Sequence, residues 1–286
     1  MSQRETNQVH ESDDVCALPL VRRLGAALDY EPSRWKEGDP LPRGWHLALF
    51  SRDTPQSVLR TDGVASFDFG LPDLGLPRLV FGGRRIHFHG DIPIGAHLLR
   101  QSRLVSVEEK NGRSGRSAVV TAQHDIFLQG QQSPVVSEQH DLIMREAAPV
   151  NGPSLATTQP MRESVPAESL AQVRRSTVTP DELLLFRVAA VMFNAHRIHY
   201  DLPYATVQEG YSGLVVNASV STLLLLEFYR AQCEPMLDFL SLRHMGMALC
   251  GRPLTLCATP GEERAWSVWA ESEAGGLVVK GQMGSK

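Results

Sequence analysis

The chain has 286 residues, which at about 150 per domain allows two domains or one unit built from two similar halves. Its 28 Lys and Arg against 32 Asp and Glu leave a net charge of −4, which excludes a broad phosphate-binding surface and argues against nucleic acid as a partner. The 42% apolar and 21% charged composition is that of a folded globular protein. The most apolar stretch, 215–226, is broken by Asn217, Ser219, Ser221 and Thr222 and falls short of the about 20 residues a bilayer crossing needs, so no membrane partner is expected.

Residues 1–15 are polar and acidic and read as a disordered tail with no apolar signal core, which predicts a cytoplasmic location. Leu20, Leu24 and Leu28 share one face of a helix predicted over 17–28, closed by Pro32. From Pro40 to Gly75 the chain is broken by Pro and Gly, and no regular element is predicted. Strands follow at Leu79, at Ile94 to Val107, at Ser117 to Leu128 and at Val135 to Met144. Lys110-Asn111-Gly112 supplies the hairpin turn of this meander. Arg100, Arg103, Lys110, Arg113 and Arg116 around it read as a solvated face, with contact to the phosphates of a ligand as the weaker alternative. The stretch 147–180, with five prolines and little periodicity, reads as a linker between a first domain, 16–146, and a second, 181–286.

In the second domain Glu182 to Phe193 is an apolar, strand-like run, and Val215 to Arg230 is a buried helix. Strands at Phe239 to Met247, Pro253 to Thr259, Ala265 to Glu271 and Leu277 to Gln282 form another meander, turning at Pro260-Gly261 and Gly275-Gly276. Ile94-Gly95 before one long strand echoes Cys250-Gly251 before another. A duplicated α+β unit, an apolar helix wrapped by an antiparallel sheet, is the simplest account of two such meanders. Cys16, Cys233, Cys250 and Cys257 form neither a disulfide framework nor a zinc spacing. They read as small apolar side chains in a reducing compartment.

The densest group of reactive side chains is Phe193-Asn194-Ala195-His196-Arg197-Ile198-His199-Tyr200-Asp201. His196, His199 and Asp201 have the residue types of a metal site but no further Cys or His partner. A histidine-rich loop satisfying its own backbone is the plain alternative, and a histidine beside an amide that handles water is the third reading. The string, with Tyr204-Ala205, Glu209-Gly210 and Ser212-Gly213-Leu214-Val215 after it, resembles the hydratase motif of MaoC-like (R)-specific enoyl-thioester hydratases. Within that family it is most similar to the subgroup of mesaconyl- and itaconyl-CoA hydratases. The resemblance is strong over 180–286 and weaker over the first half, where Gly82-Gly83-Arg84 and Ile94-Gly95 carry it. It implies a double hot-dog fold whose first unit, 16–146, is degenerate.

The implied activity is hydration of a five-carbon dicarboxylic enoyl-CoA, itaconyl-CoA to citramalyl-CoA through or besides mesaconyl-C4-CoA, with acyl-CoA as partner, no cofactor or metal, and a homodimer as the oligomer to expect. Water addition places charge on the thioester oxygen, so donors must wait there; the backbone N–H groups of Gly213 and Leu214, at the mouth of the helix predicted from Val215, are the candidates. His199 titrates in the range a base needs. Most (R)-hydratases carry an aspartate where this chain has Asn194, and an amide is no base. Either His199 acts alone while Asn194 positions water, or Asp201 or Glu209 replaces the charge. His196, Arg197, Tyr200, Asp201, Arg84 and Arg243 are the substrate-binding candidates, the arginines for a second carboxylate. The rivals are a hot-dog thioesterase, a non-catalytic acyl-CoA-binding protein, and a general (R)-specific enoyl-CoA hydratase or 3-hydroxyacyl-thioester dehydratase.

Overall fold

The structure, a computed structural model, describes residues 8–65, 71, 73–112, 115–146, 172–233 and 236–285. Among these residues ten antiparallel strands share one sheet. In the first half these are β1 (His10–Val15), β2 (Arg78–Phe88), β3 (His97–Gly112), β4 (Gly115–Leu128) and β5 (Val136–Arg145). In the second they are β6 (Arg174–Val178), β7 (Phe239–His244), β8 (Leu254–Pro260), β9 (Ala265–Ser272) and β10 (Leu277–Gly284). Three helices accompany them: α1 (Leu18–Ala27), α2 (Glu182–Val191) and α3 (Ala218–Gln232).

The strand order β1-β3-β4-β5-β2-β7-β10-β9-β8-β6 reads the same from either end once β1 to β5 are matched with β6 to β10. Two meanders therefore meet at β2 and β7, related by a pseudo-twofold axis at that seam. Gly83 faces Arg243 across it, and a Cβ there would run into the Leu242 carbonyl, so glycine is what lets the two backbones pair. The faint repeat falls at matching places. Gly95 (φ +92°) precedes β3 and Gly251 (φ +71°) precedes β8, and each donates its N–H to a residue just past the edge strand of its half, Cys16 at 2.7 Å and Pro180 at 2.8 Å.

The halves differ in their helix. In the second, α3 is buried along Val220, Leu223, Leu225, Leu226, Phe228 and Tyr229 and fills the curve of the sheet. Between α1 and β2 the described residues form only single 3-10 turns at 32–34, 45–48 and 56–58. The fold is thus α+β, a double hot dog with a degenerate first unit.

Several expectations are corrected. Residues 10–15, read as tail, pair with β3 from His10↔Ser102 to Val15↔His97. The linker falls mostly outside the described residues, but its end is β6, paired with β8. Both are edge strands held by ladder hydrogen bonds, and their polar sequences carry no core signal. The apolar run after Pro180 is helix α2, because the Asp181 carboxylate caps it by accepting from the Leu184 N–H at 2.8 Å and Leu185 and Val188 bury one helical face. The first hairpin continues through Asn111 to the pair Gly112↔Gly115, so the reversal lies past the expected Asn-Gly site. No helix among the described residues is long and apolar enough to cross a membrane.

Candidate active site

A cavity of about 450 Å³ lies where the two halves meet. The second half supplies Asn194, His196, Ile198 and His199, then Val215 to Ser219 and Ser221 at the start of α3, and His244 to Ala248 beyond β7, apart from Met245. The first half supplies His46 and Phe50, a strap around Arg60, Asp62 and Val64, and inward residues of β2, β4 and β5.

The motif folds as a loop because α2 ends at Met192 and Phe193 takes a positive φ of 50°. The Asn194 side-chain oxygen then accepts the His196 N–H at 3.0 Å. One 3-10 turn, Arg197–His199, points His199 inward, 8% exposed. Its Nδ1 lies 2.7 Å from the Val215 carbonyl oxygen. A carbonyl only accepts, so the proton sits on Nδ1 and Nε2 keeps its lone pair. Burial holds His199 below its ordinary pKa; burial and the neighbouring His199, ring centroids 5.2 Å apart, push His196 down to about 4. Both rings are neutral near pH 7.

The start of α3 forms another wall. Asn217 caps it, its side-chain oxygen accepting from Ser219 N–H at 2.7 Å and its carbonyl from Ser221 N–H at 3.1 Å. Ala218 N–H, in the first turn, lies beyond those bonds at the positive end of the helix dipole, where anionic charge is favoured.

The strap from the first half holds the motif from outside. The Asp62 carbonyl accepts the Arg197 N–H at 2.9 Å, and the Thr61 carbonyl accepts from the Arg197 side chain at 3.3 Å. Gly63 (φ +83°) lies so close to Ala195 that a Cβ would overlap its carbonyl oxygen.

Opposite, the first half carries a buried ionic group. Glu138 binds Arg84 Nη1 at 3.1 Å, His140 Nε2 at 2.6 Å and His46 Nε2 at 3.2 Å. These partners hold its carboxyl well below the usual range against the opposing effect of burial. Strand register assembles the group: Arg84 pairs with His140 and Ile86 with Glu138 across β2 and β5.

A profile of hydroxyacyl-thioester dehydratase type 2 matches residues 44–250. The chain belongs to that family. Over 262 residues, 91% of this chain and 88% of the relative, it is 35% identical to a mesaconyl-C(4)-CoA hydratase of Chloroflexus aurantiacus. It is 26% identical to the mitochondrial hydroxyacyl-thioester dehydratase type 2 of Schizosaccharomyces pombe, over 76% of this chain and 77% of the other. In fold it is similar to a MaoC-like dehydratase from Phytophthora capsici (TM-score 0.69, 12% identity, 98% of this chain and 95% of that one). It is also similar to a Mycobacterium tuberculosis protein described as a double hotdog (TM-score 0.59, 12% identity, 97% and 95%). The chain is thus a hot-dog hydratase or dehydratase of CoA thioesters by family.

Within this dehydratase the predicted site residues divide. Asn194, His196, His199 and Arg84 line the cavity; Gly213, Leu214, Arg197, Tyr200, Asp201 and Arg243 do not. Helix α3 begins later than expected because Asn217 caps it, so Gly213 and Leu214 precede the helix end, and the Leu214 carbonyl is taken by the Cys250 N–H at 2.9 Å. Arg197 binds Asp201 at 2.8 Å and stacks on Tyr204. Asp201 also accepts the Tyr204 N–H at 3.1 Å, and Tyr200 is exposed with its hydroxyl on Ala195. His196, His199 and Asp201 therefore do not converge as a metal site would require. Glu209 binds Tyr204 and Arg78, away from the cavity. Strand alternation turns Arg243 outward and its neighbour His244 inward. His46, Glu138, His140 and His244 were missed as site residues, and Arg100, read as part of a solvated face, lines the cavity instead; the alternation of Glu138 with His140 along one strand was a signal for those two.

Proposed function

We propose that the chain is a hydro-lyase adding water to the double bond of a five-carbon dicarboxylic enoyl-CoA, mesaconyl-C4-CoA or itaconyl-CoA, to give citramalyl-CoA in itaconate degradation. The carrying observation is His199, whose Nδ1–H is fixed on the Val215 carbonyl so that Nε2 is free to act as a neutral base on a cavity wall that also holds Asn194. Family membership and the 35% identical mesaconyl-C(4)-CoA hydratase support the same reading.

In this mechanism Asn194 orients a water and His199 Nε2 takes its proton as the oxygen attacks Cβ. The π electrons move through Cα to the thioester oxygen, whose charge meets the N–H groups at the start of α3, Ala218 foremost. The imidazolium then returns the proton to Cα, and the thioester carbonyl reforms. Each step is an addition or a proton transfer, so none calls on a cofactor. The methylene of itaconyl-CoA is not conjugated with its thioester, and the same residue would move a proton to form mesaconyl-C4-CoA first. Acyl-CoA is the partner, a cytoplasmic setting fits it, and the edge strands β1 and β6 offer pairing to a homodimer.

The test is a panel of monocarboxylic and dicarboxylic enoyl-CoA esters followed by loss of enoyl absorbance. Dicarboxylic esters are expected to react fastest, without free thiol, the product of a thioesterase. Asn194→Ala should lower kcat more than Asp201→Asn; the reverse order would show that Asp201, not Asn194, serves His199.

A further inference from the structure

We propose that the cavity wall around Arg84 is a built carboxylate subsite, in which Arg84, positioned by Glu138, and His244 donate hydrogen bonds to the second carboxylate of the acyl group. This rests on the dicarboxylic reading above and names the residues that would enforce it.

Arg84 is 3% exposed and lines the cavity. Glu138 binds one terminal nitrogen of it, and both Glu138 oxygens are engaged, one by His46 and the other by His140 as well as by Arg84. The carboxylate is a fixed anchor for the guanidinium. Arg84 Nε is buried with no hydrogen-bond partner, and so is Nε2 of His244. The two lie on either side of the β2–β7 seam and share Phe81, whose ring is 4.7 Å from the Arg84 guanidinium and 5.5 Å from the His244 ring. Leaving buried polar nitrogens unmatched is costly, and native interiors rarely do it without a functional reason; the Arg84 Nε–H is a donor, and the neutral His244 ring donates from Nε2 in its Nε2–H tautomer. A carboxylate has lone pairs for both.

Charge points the same way. The chain is net −4, yet the cavity wall holds four arginines, Arg52, Arg60, Arg84 and Arg100, and two carboxylates, Asp62 and Glu138. Depth separates their uses. The Arg60 side chain is 44% exposed and already bound to Asp62, a place for the phosphates of CoA, whereas Arg84 is reached only by what enters the cavity. Arg197 and Arg243, outside the wall, are not in the subsite.

The experiment compares mesaconyl-C4-CoA with crotonyl-CoA, which share the CoA moiety, in wild type, Arg84→Met, His244→Phe and the double variant Arg84→Met/Glu138→Gln. The double variant removes both charges, so no carboxylate is left buried alone. The ratio of kcat/KM for the dicarboxylic over the monocarboxylic ester should fall about 10- to 100-fold on losing Arg84 and several-fold on losing His244. A readout without turnover is the rise in Tm on adding free mesaconate, expected in wild type, lost in the double variant and absent with crotonate. If wild type prefers the dicarboxylic ester and the folded variants lose both esters equally, the subsite is wrong and the function stands. If wild type prefers crotonyl-CoA while mesaconate binding still needs Arg84, the function is wrong and the subsite stands.

Discussion

Replacing Gly63 by alanine tests whether the strap from the first half holds the loop that carries Asn194 and His199 in the second. The residue has φ +83°, which costs an L-residue about 1–2 kcal/mol. Its new methyl would overlap the Ala195 carbonyl oxygen and stand 2.9 Å from the carbonyl carbon and 3.5 Å from the His196 nitrogen. Retreat to van der Waals distance pulls the strap off the loop, breaking the bonds from Arg197 to the Asp62 and Thr61 carbonyls, each about 1 kcal/mol net. The expected loss of stability is about 3–4 kcal/mol. Because residues 195–196 lie between Asn194 and His199, a displacement of about 1 Å should also cost about 100-fold in kcat/KM. Gly38→Ala is the control: φ is +86° and a Cβ there meets nothing within 4 Å, so it carries the backbone strain without the clash. Urea unfolding and enoyl-CoA hydration would be measured on both variants. A Gly63→Ala protein hydrating at the wild-type rate per folded molecule, or losing no more than Gly38→Ala, refutes the reasoning.

Two further outcomes follow from the site. His199, His196 and His244 all lie below their ordinary pKa, the last two at about 4 and about 3. The unfolded chain therefore takes up these protons first, and Tm should fall as pH drops below about 6.5. The acid limb of kcat/KM should lie below 6.5 if His199 is the base that becomes protonated; a limb above that value contradicts the effect of burial on His199. Asn217→Ala removes the cap on Ser219 N–H and should cost about 0.5–2 kcal/mol in urea unfolding, with a fall in kcat larger than any rise in KM; a change in KM alone would place the helix end away from the thioester oxygen.

Most of both meanders was legible because each strand alternates and each hairpin is marked by glycine, asparagine or proline. Helix α3 was legible from its apolar length, and the local motif singled out Asn194 and His199, which the structure puts on the cavity wall. Strands β1 and β6 were not, since residues such as Glu11, Asp13 and Arg175 reflect an edge whose stability comes from a distant partner. Nor was the strap, where Asp62 and Gly63 act through backbone atoms and close approach and leave no pattern in side-chain type. The ionic group is unreadable for another reason: Arg84 and Glu138 are 54 positions apart and become neighbours only through the register of β2 on β5. Arg243 shows how fine that register is, because one step along β7 exchanges an outward arginine for an inward histidine.

The broken symmetry of the sheet divides labour along the chain. The proposed base His199, the amide of Asn194 and the start of α3 all come from after residue 190, whereas Arg84, Glu138, His140 and His46 on the same cavity wall come from before residue 150. On the proposed mechanism, the described residues of the first half position the loop and line the cavity but supply no group that moves a proton. Substitutions there can re-tune which acyl group is accepted while the water-handling loop stays as it is, so the two properties can drift independently. Chains of this architecture should then vary in substrate mainly through their first halves.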